Sequence, residues 1–375
     1  PEGSESFVKK DVLQKDKALE TAFYLGDEWE ITPKLSVNAG IRYSLFSALG
    51  PRSYYQSASG MLPHESTITD TITAGAGKFM KTYHGPEFRL SARYAFTDNF
   101  SVKAGFNSMR QYIHKLSNTV IMSPTDTWKL SDVNIKPQRG WQAAAGLYLN
   151  SPSGIWEYSV EGYYKRMSDY LDYRGGAKLL MNHHIETDVI NTQGHAYGVE
   201  LQVKKQVGKL NGWMSYTYSR TFLRQNDKRI EKPVNNGDWY PTEYDKPHDF
   251  KFVGNYKFTH RYSMSINVDY STGRPTTIPA GQYYDESTQS MRVYYTERNS
   301  YRIPDYFRTD ISFNIEPSHH LTLLTHSSIS IGVYNVTGRK NVYSIYYMPE
   351  EGQIKGYQMS IFGVPIPFIT YNIKF

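Results

Sequence analysis

Side chains able to grip a soluble ligand stand in a few segments of the 375-residue sequence. Tyr54, Tyr55, Trp128, Trp239, Tyr240, Tyr283, Tyr284, Tyr294 and Tyr295 offer flat rings, and Arg292 and Arg298 offer guanidinium groups. Rings stack on apolar or sugar-like faces, and the planar guanidinium fork grips carboxylate or phosphate. A sugar, a flat chelate and a peptide would all satisfy such a set, so it implies binding and leaves the ligand open. The plainer alternative is that these rings pack one segment against another. The histidines are less suggestive. His183-His184 and His319-His320 are adjacent pairs, and neighbours on an extended chain point to opposite sides, so neither pair would chelate one ion. His248, beside Asp245 and Asp249, suits a hydrogen bond at the start of a strand. There is no HExxH, Walker loop or nucleophile elbow, and no cysteine, so no metal site, cofactor or catalytic residue is expected.

The elements that must position these side chains alternate with period two. Leu35, Val37, Ala39, Ile41 and Tyr43 form one apolar row, and Phe88, Leu90, Ala92, Tyr94 and Phe96 another. Trp141 to Leu149, Leu210 to Tyr218, Phe250 to Phe258, Tyr262 to Tyr270 and Phe307 to Ile315 behave alike. In a strand such rows become two opposite faces. The runs last about ten residues or more, where soluble strands average about five or six; a tilted strand crossing a bilayer needs about nine to eleven. Short turns (Thr32-Pro33-Lys34, Thr97-Asp98-Asn99, 150–154, Gly208-Lys209, Thr259-His260, 317–321) alternate with long connections near 49–84, 114–137, 172–193, 224–245, 274–305 and 337–363. Short turns on one side and long loops on the other are the pattern of outer-membrane barrels.

The rows opposite the apolar ones carry charge of both signs: Arg42, Glu87, Arg89, Arg93, Lys103, Glu157, Glu161, Lys165, Glu200, Lys204, Lys251, Asp269, Arg308, Asp310 and Glu316. A Lys or Arg facing lipid at the bilayer midplane costs about 2–4 kcal/mol, so these rows must face a wet interior. Asp27 is the exception, sharing a face with Phe23, Leu25, Trp29 and Ile31, either near headgroups or beside a bulge. The 33 Tyr against 17 Phe suit rings half in lipid and half in water. The net charge of +6 is spread along the chain rather than clustered, which suits a basic surface or contact with anionic outer-leaflet lipid and argues against nucleic acid as a partner.

These patterns imply an all-β, antiparallel transmembrane barrel of about thirteen strands, from Ala18–Ile31 to Pro365–Phe375. The first strand starts at the loop side and the last ends at the turn side. A complete single-chain bacterial barrel has an even strand number, so residues 1–375 are expected to be a C-terminal segment whose first strands lie upstream. Ile369, Tyr371, Ile373 and Phe375 alternate with polar residues, as in a terminal strand that signals membrane assembly.

Several segments resemble the TonB-dependent receptor family: Pro33 to Ser44, with its Gly-x-Arg-Tyr; Tyr197-Gly198-Val199-Glu200-Leu201; Ile303 to Asp310, a Pro-x-Tyr-x-Arg-x-Asp strand; Val333 to Asn341; and the closing Phe375. Their order covers nearly the whole chain. The resemblance implies a barrel of about twenty-two strands around an N-terminal plug. It also implies import of a scarce solute, bound at the outer loops and driven by the TonB complex of the inner membrane. The plug and the TonB-contacting box have no counterpart in these residues. The implied partners are outer-membrane lipid, the plug and remaining strands, the TonB complex through the plug, and a surface lipoprotein. The competing readings are a passive porin, a barrel lipase or protease, and a soluble β-rich binding module whose apolar rows would pool in one core.

Overall fold

The computed structural model describes residues 12–58, 60–61, 67–116, 127–174, 177, 182–225, 227, 230, 232–285, 290–316, 326–350, 353–361 and 363–374. Its wall is one antiparallel sheet whose main ladder runs through thirteen strands in sequence order, with the two-residue strand Tyr240–Pro241 paired off that path. They are β1 (Lys17–Thr32), β2 (Leu35–Leu49), β3 (Phe79–Thr97), β4 (Phe100–Gln111), β5 (Gln138–Asn150) and β6 (Trp156–Tyr173). Then follow β7 (Val189–Lys205), β8 (Leu210–Arg224), β9 (His248–Lys257), β10 (Tyr262–Ser271), β11 (Tyr306–Ile315), β12 (His326–Tyr334) and β13 (Ile366–Lys374). The ladder runs from β1 to β13, and those two do not pair with each other among the described residues. The longest wall strand has 19 residues and the shortest 9, so each can span hydrocarbon. No helix among the described residues is long and apolar enough to cross a membrane.

The short turns have a local cause. Thr32 Oγ1 accepts from the backbone N–H groups of Lys34 (3.3 Å) and Leu35 (3.0 Å). Thr97 does the same for Asn99 and Phe100, and Thr259 for Arg261 and Tyr262. In these three turns one threonine at the head thus replaces the ladder bonds the reversal interrupts. The turn around 317–321, with His319 and His320, and the terminal Phe375 lie outside the described residues.

Register makes the apolar rows continuous. Leu90, Ala92 and Tyr94 stand opposite Ala39, Val37 and Leu35, and on their other side opposite Phe106, Ala104 and Val102. Those meet Ala143, Ala145 and Leu147, which meet Tyr164, Gly162 and Val160. Farther on, Ile266 faces Gly254 and Ile311, and Phe313, Ile331 and Ile369 line up in turn. These side chains are open to the surroundings, Leu90 by 50% and Ile369 by 72%. A sheet presenting such a band outward would aggregate in water; in hydrocarbon the band is its solvent. The buried apolar side chains do not pool in one core. Two small clusters, Leu116–Ile135–Ile185–Val189 and Phe46–Ala48–Tyr112, sit at the end carrying the long connections, which excludes the soluble-module reading.

Aromatic rings edge the band at both heights. Toward the loops, Phe106, Trp141, Tyr164 and His195 follow one another at 6.1, 5.6 and 6.4 Å, and Trp239 meets His195 at 4.3 Å. Toward the turns stand Tyr94–Phe96–Phe100 and Tyr256–Phe258–Phe313. Two girdles flanking an apolar band mark the two interfaces of an outer membrane. The charged rows occupy the other face: Arg42 opposite Glu87, Arg93 opposite Lys103, Glu157 opposite Lys204, and Asp269 between Lys251 and Arg308. Asp27 is not re-aimed by a bulge. The β1–β2 register is unbroken from Lys17 to Glu30 and shifts only between Glu30 and Thr32, so Asp27 stays on the apolar face opposite Ala39.

Candidate functional site

The long connections are built structures. Four of them carry their own hairpins: Arg52–Ser57 with Ile68–Ala74, Ile113–Leu116 with Thr127–Leu130, Pro279–Asp285 with Ser290–Tyr295, and Val342–Glu350 with Gln353–Ser360. The fourth connection instead folds back on the wall, where Tyr240 and Pro241 pair with Leu223 and Phe222 of β8.

That pairing separates two neighbouring candidates. Tyr240 lies on the inner side with Leu223 and is 1% exposed, whereas Trp239 lies on the outer side against His195. A second device acts on β6. Up to Arg166 the even-numbered residues point outward, but the β6–β7 register shifts between Met167 and Tyr170, with Asp169 at φ 56°. The bulge moves Tyr170 and Asp172 to the inner face, a known use of an extra strand residue. Asp172 Oδ2 there accepts hydrogen bonds from Tyr240 Oη (2.5 Å) and Arg298 Nη1 (2.7 Å). Arg298 is held from behind: its N–H donates to Asn235 Oδ1 (2.8 Å), and Asn235 Nδ2 donates to its carbonyl (3.1 Å). Asn235, Asn236 and Asn299 all adopt left-handed backbone, which asparagine tolerates better than most residues.

The result is a cavity of about 500 Å³ on the inner face at the loop end. Its walls include Tyr170, Tyr244, Asp172, Glu243, Arg298 and Lys115. Tyr170 Oη and Tyr244 Oη are 2.9 Å apart. Burial, reinforced by the Asp172 charge, pushes the Glu243 carboxyl above its ordinary range, and burial followed by Asp172 pushes the Tyr240 phenol up strongly. Burial works against the Arg298 charge, but Asp172 and Tyr240 together outweigh it and raise its pKa. Rings on several sides, a fixed guanidinium and a carboxyl that protonates easily suit a flat solute with anionic edges.

Of the sequence candidates, Tyr240 and Arg298 meet at this cavity, with the guanidinium 5.8 Å from the ring centre. Tyr55 stacks on His184 at 3.8 Å, joining the first and third connections. Tyr54 sits on the same hairpin as Tyr55, and Trp128 is exposed on the next. Tyr283, Tyr284, Tyr294 and Tyr295 are exposed on the hairpin of the fifth connection, where Tyr283 stands opposite Arg292. Ile369, Tyr371 and Ile373 face outward on β13. His248 accepts or donates at Nδ1 to Tyr216 Oη, 2.8 Å away, at the start of β9. Sequence reasoning missed Tyr170, Asp172, Glu243 and Tyr244. Strict alternation assigns the first two to lipid, and the one local hint is Ser168-Asp169, a polar pair interrupting a greasy strand. Among the described residues no three His, Asp or Glu side chains converge as metal ligands.

The family model described as "TonB dependent receptor-like, beta-barrel" matches residues 7–336. None of the curated proteins matches the chain by sequence. Among solved structures, the ferric yersiniabactin uptake receptor FyuA from Yersinia pestis aligns with TM-score 0.58 and 15% identity over 96% of this chain and 46% of its own. The FrpB iron transporter from Neisseria meningitidis gives 0.58 and 13% over 97% and 46%. The ferric-catecholate import receptor Fiu from E. coli K12 gives 0.56 and 15% over 95% and 44%. The chain therefore spans less than half the length of each, and at such identity the likeness is one of fold.

Proposed function

This chain belongs to the TonB-dependent receptor-like β-barrel family, and from that premise we propose that it forms the wall and part of the loop cap of an outer-membrane importer for a bulky, scarce solute. The plug and the remaining strands come from further sequence, and the TonB complex of the inner membrane supplies the energy through the plug. The protein is a transporter without an enzymatic step of its own. The observation that carries the reading is the inner-face cavity, where Tyr170, Tyr244, Arg298 and Glu243 open toward the lumen above a wall lined with charge. A ferric chelate is the cargo to test first, because flat conjugated ligands with anionic edges match those groups.

The test is equilibrium binding of ferric catecholate, hydroxamate, phenolate and citrate chelates to the receptor purified from outer membranes. One chelate class is expected to bind, and Tyr244→Ala is expected to raise its Kd about tenfold or more. Failure of every ferric chelate alongside binding of a glycan or a peptide would transfer the cargo assignment. Tight chelate binding that Tyr244→Ala leaves unchanged would remove the cavity from the path.

A further inference from the structure

A second cavity, of about 320 Å³, opens on the inner face at the loop-side ends of β10 to β12. Ser271 stands opposite Tyr306 and Asp269 opposite Arg308, so Ser271, Tyr306 and Arg308 share the charged face of the wall. Three segments pass from the cargo cavity to this one. Glu243 and Tyr244 line the first and Lys246 the second; Thr277 lines the first and Arg274 the second; Asn299 lines the first and Ile303 the second. Between those positions the chain is pinned. Pro275 and Thr276 pair with Arg302 and Tyr301. Arg302 Nη1 donates to the carbonyls of Asp245 (2.7 Å) and Gly273 (2.9 Å), while its Nη2 binds the buried Asp245 carboxylate. Arg220 Nε reaches the same carboxylate at 3.3 Å. The two cavities are separate chambers with a hydrogen-bonded partition between them.

Their chemistry differs. The cargo cavity has Asp172 and Glu243 in its wall. Among the described residues no Asp or Glu lines the second chamber, whereas Lys246, Arg274 and Arg308 do. Arg308 is answered by Asp310 Oδ1 at 2.8 Å and lies over the Tyr334 ring. Asp269, one pleat below Ser271, stands between Lys251 and Arg308. The other two cations keep donors to spare. Arg274 Nη2 donates to the Tyr343 carbonyl (3.1 Å), and Lys246 Nζ reaches Ser271 Oγ only at 3.5 Å. Much of the remaining lining is apolar or aromatic: Ile303, Tyr306, Val342, Tyr343 and Ile361.

We propose that this chamber binds a small apolar carboxylic acid, its carboxylate held by Lys246 and Arg274 and its body against Ile303, Tyr306 and Val342. Charge-assisted hydrogen bonds from an ammonium and a guanidinium favour a carboxylate over a neutral group of the same shape. Small-molecule sites run from about 300 to 1,000 Å³, so this volume suits an acid of one or two rings rather than a bulky cargo. The ligand and the lining residues are its own, so the cargo assignment and this site can fail independently.

Isothermal titration of the intact receptor, purified from outer membranes in mild detergent, with naphthoate and with naphthamide provides the test. Naphthoate should bind the wild type about tenfold more tightly than it binds K246Q, and about tenfold more tightly than naphthamide binds the wild type. K246R, which keeps the charge, should stay within about threefold of the wild type. Arg93→Gln, on the inner face but outside the chamber, should behave as wild type. Val342→Trp fills the chamber without altering either cation; it should abolish naphthoate binding, and it carries the test if K246Q does not assemble to a heat-modifiable band. Equal affinity for the acid and the amide, equal affinity of wild type and K246Q, or binding unchanged by Val342→Trp would overturn the site. Displacement of naphthoate by equimolar inorganic phosphate would overturn the assignment to an apolar acid.

Discussion

Buried polar side chains fix the loop cap, and their charge states make it sensitive to pH. His114 of the second connection is buried with its Nε2 3.0 Å from Ser131 Oγ. Burial, aided by the Lys129 ammonium and opposed by Asp132, lowers its pKa from 6.5 to about 4. The folded loop therefore holds His114 neutral. Protonation favours the undocked state, so stability is full above about pH 6.5 and falls as the pH drops toward 4. Beside it Lys129 bridges Asp132 (2.6 Å) and Asp16 (3.0 Å), and Arg52 also contacts Asp16, so the first and second connections share one network. Burial works against the Asp132 carboxylate, but Lys129 and Arg52 outweigh it and hold its pKa below the usual range. Asp132 thus adds acid sensitivity only at lower pH. Hydrogen exchange over 113–116 and 127–130, corrected for intrinsic pH dependence, should accelerate between pH 6.5 and 4. His114→Gln should flatten that window, and an unchanged profile would count against the buried neutral histidine. Nothing in the sequence flags His114, because its environment is assembled from a separate hairpin strand.

The strands were legible because alternation is a property of the chain itself, and the length of the runs told lipid from a soluble core. What alternation could not supply is any departure from it. The β6 bulge reverses the face of Tyr170 and Asp172, and the pairing of 240–241 with β8 splits Trp239 from Tyr240. Both depend on tertiary pairing. The family-like segments show a related limit, since their residues were visible while their task was not. Asp310 Oδ1 accepts from Asn335 N (2.8 Å) and Arg308 Nε (2.8 Å), and Asn341 bonds both the N–H and the carbonyl of Phe307. Asp305 accepts from Gly273 N (2.9 Å) and Tyr270 Oη (2.8 Å). These bonds clamp the loop-side ends of β10 to β12. Gly273 is the tightest point, because a Cβ there would lie 1.7 Å from the Ile303 carbonyl oxygen. Gly273→Ala should destabilise the clamp by about 1–3 kcal/mol. The expected readout is a lower melting temperature of the assembled receptor and faster proteolysis of the fifth connection. Gly281→Ala, which meets nothing within 4 Å, is the control; equal behaviour of the two would show that the close approach carries no weight.

At the scale of the molecule, one face of thirteen strands is greasy and ringed by aromatics, and the other is charged. A water-soluble globule would bury the first, and a bilayer cannot tolerate the second. The family, the two girdles and the separation of short turns from long loops all place the wall in an outer membrane, with the loop cap and its cavity outside. The transport cycle, the plug and the cargo belong to the proposed whole receptor.

The opposition of the two faces can be measured directly, because the sequence contains no cysteine and single cysteines carry spin labels cleanly. Nitroxides placed one at a time along Tyr262–Ser271, in receptor reconstituted into lipid, should report oxygen collisions with period two. Maxima are expected at Tyr262, Met264, Ile266, Val268 and Tyr270, and a water-soluble nickel complex should peak at the residues between them. Oxygen and nickel profiles rising in phase, or apolar positions closed to both reagents, would mean that these strands do not divide lipid from water.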